Sequence, residues 1–313
     1  MQIPSVRVSD FLVSLLVASL LVVLPTSLRA QSLPKEPPLS QDQQDASDTL
    51  NQGVEAFKNA QFEEAVRLFK RAKLLDPGLQ NASLYLATAY ASQYIPGAPS
   101  EENVRNGELA RGEYKEVLDQ NPTNLSAIDG IASISYQMAG QPFNMEMFEE
   151  SKSYHKKHIE VRPDDPQPYY SIGVIDWALA YRANTLLRAE FNQSVGVREE
   201  TSTFDEDSDG GDTKDTKDQV TGLKDTDPLP EVLRRKYAED YGPTIDEGLS
   251  ALKRAVELKP DYDDAMTYLN LMYRRKADVV GPAIERNAYL EQADELLDKV
   301  KEIKQKRSSE SQQ

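Results

Sequence analysis

The sequence predicts an all-α chain, a solenoid of stacked helical hairpins with insertions, preceded by an export signal. Three observations carry that expectation. Small residues and aromatics recur at fixed offsets within a 34-residue stretch, 46–79. Pairs ending in proline, Asp76-Pro77, Asn121-Pro122, Arg162-Pro163 and Lys259-Pro260, close successive stretches. The composition favours the Ala, Leu, Glu, Lys and Tyr that suit packed helices. With 39% hydrophobic and 28% charged residues among 313, the chain has the apolar content of a folded protein, not of a wholly disordered one.

The N-terminal element comes first. Residues 11–24 form an uninterrupted apolar run, preceded by Arg7 and followed by Pro25 and a polar stretch ending in Ala30. This is the layout of a secretory signal peptide. Fourteen helical residues reach about 21 Å, short of a hydrocarbon core of about 30 Å, so cleavage after Ala30 is expected over a permanent span. The mature chain would then be periplasmic or secreted; the alternative is an anchor formed by residues 11–24. Residues 31–45, with Pro34, Pro37 and Pro38, read as a flexible spacer.

Residues 46–79 hold the clearest repeat. Small residues fall at Gly53, Ala65 and Ala72, an aromatic at Phe69 and a closing proline at Pro77. Two antiparallel helices that approach closely need small side chains where they cross and large ones in the gaps. Proline then stops the second helix, lacking an amide hydrogen and disfavouring helix in the residue before it. The pattern resembles the tetratricopeptide repeat, in its exported bacterial form, and the resemblance implies a solenoid of about five units over 46–306. The second unit opens at Gln80 and closes at Asn121-Pro122, with about eleven extra residues around Ile95-Pro96-Gly97-Ala98-Pro99. The third opens near Leu125 and closes at Arg162-Pro163, carrying His155 and His158 where the family has an aromatic and an alanine.

The fourth unit opens near Pro166 and runs helical through about Glu190; its second helix is expected only over 245–258. Between them, residues 196–230 turn to Asp, Gly, Thr and Lys and are expected to be a disordered acidic insertion. Residues 231–242 regain helical character before Gly242-Pro243 is expected to break the chain. The fifth unit opens near Asp263, is interrupted at Gly281-Pro282 and ends by 306, leaving 307–313 as a disordered tail.

Chemistry is excluded more readily than it is found. The absence of cysteine removes disulfides, thiolate zinc sites and thiol nucleophiles. A formal charge of −16 repels phosphate backbones, and the basic runs at Arg234-Arg235-Lys236 and Arg274-Arg275-Lys276 are short, so nucleic acid is not an expected partner. His155 and His158 share a helical face, but no carboxylate-histidine motif completes a zinc triad, so they are read as packing or plainly solvated residues. The run from Asp205 to Gly210 matches half of a calcium loop and then fails, with Thr216 where a bidentate Glu should close the sphere. No phosphate loop, nucleophile elbow, zinc-protease motif or dinucleotide fingerprint occurs, so neither a catalytic residue, a metal nor a cofactor is expected.

The resemblance implies a concave groove lined by the first helix of each unit. Carried onto this sequence, the groove positions include Phe57, Tyr136, Tyr170, Trp177, Arg274 and Arg275. Tyr, Trp and Arg are the side chains that most often anchor interfaces. Val54 stands where some family members place the Asn of a carboxylate clamp, so that mode is not expected. The reading is an exported scaffold holding a segment of a cell-envelope protein, with no stable membrane span after cleavage. The alternative is a binder of a small molecule or glycan, using an aromatic pocket around the fourth unit.

Overall fold

The computed structural model describes residues 39–196 and 222–310, and every regular element among them is an α-helix. The helices are α1 (Gln41–Lys58), α2 (Phe62–Leu75), α3 (Gln80–Ala91), α4 (Glu101–Gln120) and α5 (Leu125–Ala139), then α6 (Met145–Val161), α7 (Pro166–Ser194), α8 (Glu231–Leu258), α9 (Asp263–Val279) and α10 (Ala283–Glu310). They pair in order into five hairpins, each packed on the next. All belong to one unit that begins at Gln41. The expected export signal, its cut after Ala30 and the calcium-loop fragment at 205–216 lie outside the described residues.

The ends of the second helices share one physical cause. Asp76, Asn121, Arg162 and Lys259 each precede a proline, and each takes an extended conformation, with φ between −135° and −140° and ψ between 84° and 95°. The proline ring excludes the helical region for the residue before it. Each of these residues still donates its amide to the carbonyl four positions back, so the last turn closes before the chain departs. At the opposite ends, Ser100, Asn124, Asn144 and Asp165 accept a hydrogen bond from the first-turn amides of α4, α5, α6 and α7.

Within the hairpins, glycine sets the approach. A Cβ on Gly53 would lie 2.5 Å from Phe69 Cε1, and one on Gly173 would lie 2.3 Å from Leu252 Cγ. The second contact joins α7 to α8, so the fourth hairpin closes although its helices are separated in sequence by residues 195–230. Tyr237 on α8 donates to the carbonyl of Ala180 on α7 at 2.8 Å and is buried, which seals the far end of the same pair.

Several boundaries differ from expectation. Residues 41–45, assigned to the spacer, form the start of α1, where Asp45 O accepts from the Thr49 hydroxyl and Ala46 is fully buried. Gly242-Pro243 does not break the chain: α8 runs continuously through it. Pro243 and Glu239 are both exposed, so the carbonyl that proline leaves unbonded faces water, while Tyr237 ties the segment to α7. Residues 222–230, expected as part of the disordered insertion, return to the body: Asn192 holds both backbone groups of Leu223, and Arg188 donates to the carbonyls of Lys224 and Asp227. Residues 307–310, assigned to the tail, instead continue α10, with Arg307 bonded to Asp261 and Asp263. In the second unit, the extra residues form a loop pinned by Asn103, whose amide bonds Ile95 N, Ile95 O and Ala98 O at 2.6 to 3.0 Å.

The two sides of the stack are unequal. First helices of neighbouring hairpins touch, α1 with α3, α3 with α5 and α7 with α9, whereas no two neighbouring second helices touch to that extent. The layer of first helices is therefore the inner one. Its looser junction lies between α5 and α7.

Candidate functional site

The inner layer is richest in aromatics along α5, α7 and α9. On α7, Tyr170, Trp177 and Tyr181 are spaced by seven and then four residues, which puts them on one face of the helix. Trp177 stacks on Tyr181 with ring centroids 5.1 Å apart and meets Tyr268 of α9 edge-on at 5.3 Å. Tyr170 lies 5.1 Å from Tyr262 and meets Tyr268 edge-on at 5.7 Å. On α5, Tyr136 stands edge-on to Phe148 at 5.8 Å; Phe148 in turn touches Phe143, over which the Arg182 guanidinium sits at 4.2 Å. Trp177 is buried and forms the floor, while Tyr136, Tyr170, Tyr181 and Tyr268 stay half-buried at the rim.

Electrostatics locate the phenols relative to one another. Burial pushes the Tyr136 hydroxyl up to about 12, and the Tyr268 phenolate would raise it further. Burial also raises Tyr170, with Tyr268 and Tyr136 adding to the effect. Tyr136 on α5 and Tyr268 on α9 flank α7 on either side, so both reach over its inner face. The three phenols remain neutral donors at ordinary pH. None of them hydrogen-bonds to another described residue; Tyr262 differs, donating to Gln167 Oε1 at 2.6 Å.

The other groove residues inferred from the sequence fall elsewhere. Phe57 meets Phe62 edge-on at 5.4 Å, where the first hairpin turns, and does not join the aromatic recess. Arg274 is bonded to Asp294 of α10 at 2.6 Å. Arg275 is buried, paired with Asp278 at 3.2 Å and with Asp225 at 3.3 Å, and lies 5.8 Å above the Tyr181 ring. The basic groove expected from these arginines is thus neutralised by the chain itself. Asp264 is different: it lies in the first turn of α9, is exposed and forms no ion pair or hydrogen bond among the described residues. It stands four positions before Tyr268, one turn away on the same helical face. Burial leads the upward pKa shifts of Tyr170, Tyr262 and Tyr268, and the Asp264 charge adds to each.

Sequence reasoning missed Tyr268, Asp264 and two buried ionic clusters. In the first cluster, Lys152 of α6 bonds Asp176 of α7 at 2.5 Å and Glu247 of α8 at 2.8 Å; burial pushes Asp176 up to about 7, and its Oδ2 has no partner. In the second, Arg188 and Arg275 share Asp278, which burial raises to about 6, with Asn184 bonded to both Arg188 and Asp278. The available signal was Asp176, Asn184 and Arg188 standing among the apolar residues of α7. The histidines pack, one of the two readings of the sequence. His158 Nδ1 lies 2.6 Å from Asp129, which raises its pKa, while its Nε2 approaches Asp165 at 3.3 Å without hydrogen-bond alignment. Burial lowers His155 to about 4. Among the described residues no group of three His, Asp or Glu could hold a metal, and no helix is long and apolar enough to cross a membrane.

No family model and no curated protein matches the chain. Among solved structures, a double mutant of MamA (RS-1 ArsTM) is similar, with a TM-score of 0.50 at 15% identity over 85% of this chain and 97% of that one. MamA of Desulfovibrio magneticus RS-1 gives 0.49 at 14% identity, over 84% and 96% of the two chains. YrrB, described as a TPR protein with an unusual peptide-binding site, gives 0.46 at 14% identity, over 83% and 87%. The likeness to the MamA double mutant is one of fold, and the fold is of the tetratricopeptide type.

Proposed function

We propose that this chain is an exported protein-interaction scaffold that holds a segment of a partner protein of the cell envelope against the inner face of its helical-hairpin stack. The observation that carries the reading is the aromatic face on which Tyr170 and Trp177 both meet Tyr268, with Tyr136 on neighbouring α5, where three neutral phenols have no hydrogen-bond partner among the described residues. Aromatic side chains that are partly buried yet keep a free polar tip are the side chains from which interface anchors are drawn. Burial of a few such rings suits an extended segment or one helix face.

Export rests on residues 1–30 and is tested separately: N-terminal sequencing of the mature protein should begin at Gln31. The scaffold reading is tested by purifying the protein from its native envelope fraction. A stoichiometric protein partner that is lost on Tyr170→Ala with Tyr268→Ala supports it. Recovery of the protein alone, with a small molecule or glycan bound in the aromatic recess, would replace it with the ligand-binding alternative.

A further inference from the structure

The chemistry of the recess narrows what the partner offers. Resting on the groove reading above, we propose that the space between Tyr170, Tyr268 and Asp264 receives a basic side chain, arginine or lysine, from an extended partner segment. Arg274 is paired with Asp294 and Arg275 is buried against Asp278, so each already faces a carboxylate of the chain itself. Asp264, whose side chain has no partner among the described residues, is exposed and stands one turn before Tyr268.

Aromatic rings attract cations through the negative face of the π system, and a carboxylate beside the ring adds a charge-assisted hydrogen bond. The chain already uses the first interaction nearby: Lys259 sits 4.6 Å over Tyr262, Arg182 4.2 Å over Phe143, and Arg275 5.8 Å over Tyr181. Among the described residues no cation sits over Tyr170 or Tyr268. Their hydroxyls can accept from a guanidinium or ammonium group as well as donate to the partner's backbone carbonyls. Arginine fits better than lysine, because its planar group can stack on a ring while bonding a carboxylate in its plane. The formal charge of −16 favours the approach of a basic segment at longer range.

The test is selection of a random-peptide library displayed on phage against the full chain at physiological salt. Enriched peptides should carry a central arginine or lysine flanked by apolar residues. A representative peptide should bind Asp264→Asn about tenfold more weakly. Glu239→Gln, which removes an equal charge from exposed α8, should leave its affinity unchanged. Enrichment of peptides without a basic residue, or of basic peptides indifferent to Asp264→Asn, overturns this inference and leaves the groove reading standing. Equal weakening by both substitutions also overturns it, assigning the binding to the general negative charge. Failure to enrich any peptide overturns both.

Discussion

Replacing Gly173 with alanine adds one methyl group at the point where α7 crosses α8. That methyl would meet three atoms of Leu252 at 2.3, 2.7 and 2.8 Å. Ordinary contact begins near 3.4 Å, so α8 or the Leu252 side chain must move by roughly 1 Å in a core where Leu252 is fully buried. Overpacking of this kind costs about 1–3 kcal/mol, and the three-atom clash puts it near the upper end. Alanine returns about 1 kcal/mol through its better helix propensity, leaving a net loss of about 2 kcal/mol. With Leu252→Ala as the background, the clash is gone and Gly173→Ala should stabilise by up to about 1 kcal/mol. The coupling between the two sites is therefore about 3 kcal/mol. Urea denaturation followed by fluorescence reads it locally, because Trp177 is the one tryptophan and lies one helical turn from Gly173. Equal destabilisation by Gly173→Ala in both backgrounds would refute direct packing of α7 on α8 across residues 195–230.

Arg188→Ala should cost about 3–5 kcal/mol by stripping one partner from buried Asp278, and should speed hydrogen exchange across 222–230. Tyr237→Phe removes only the hydrogen bond to Ala180 O, and denaturation should show a loss of about 1 kcal/mol. The two histidines respond oppositely to pH. His158 has a raised pKa, led by its hydrogen bond to Asp129, so its stabilisation is complete below 6.5 and lost as pH rises through the folded value; His158→Gln should cost more at pH 5.5 than at pH 8.5. His155 is lowered from 6.5 to about 4 by burial, so its contribution is present above 6.5 and lost as pH falls towards 4. Denaturation midpoints of His155→Gln should accordingly fall less steeply with acid than those of the parent.

What the sequence disclosed and what it hid follow from the range of the forces involved. The pre-proline helix ends at Asp76, Asn121, Arg162 and Lys259 are local steric effects, legible from two adjacent residues. Gly53 opposite Phe69 and the aromatic stripe of α7 are periodic, so they too could be read without coordinates. Pro243 misled because helix-breaking is a local tendency, and Tyr237 overrides it through α7, fifty-seven positions away. Composition likewise made residues 222–230 look loose, whereas their backbone is held by Arg188 and Asn192 from a distant helix. Tyr136, Tyr170 and Trp177 of the candidate site were assigned by repeat position, and ring contacts place them on the inner helices. The roles of Arg274 and Arg275 were not legible in the sequence, because the carboxylates that occupy them, Asp294 and Asp278, are matched only in three dimensions.

The central claim is that the inner face around Tyr170 and Tyr268 holds a partner protein. A photo-reactive amino acid placed at Ser133, exposed on α5, samples that face, and one at Glu160, exposed on α6, samples the outer layer. Irradiation in the native host should yield one discrete protein adduct from position 133, abolished by Tyr170→Ala with Tyr268→Ala, and no such adduct from position 160. The same adduct from both positions, or none from 133, would contradict the account.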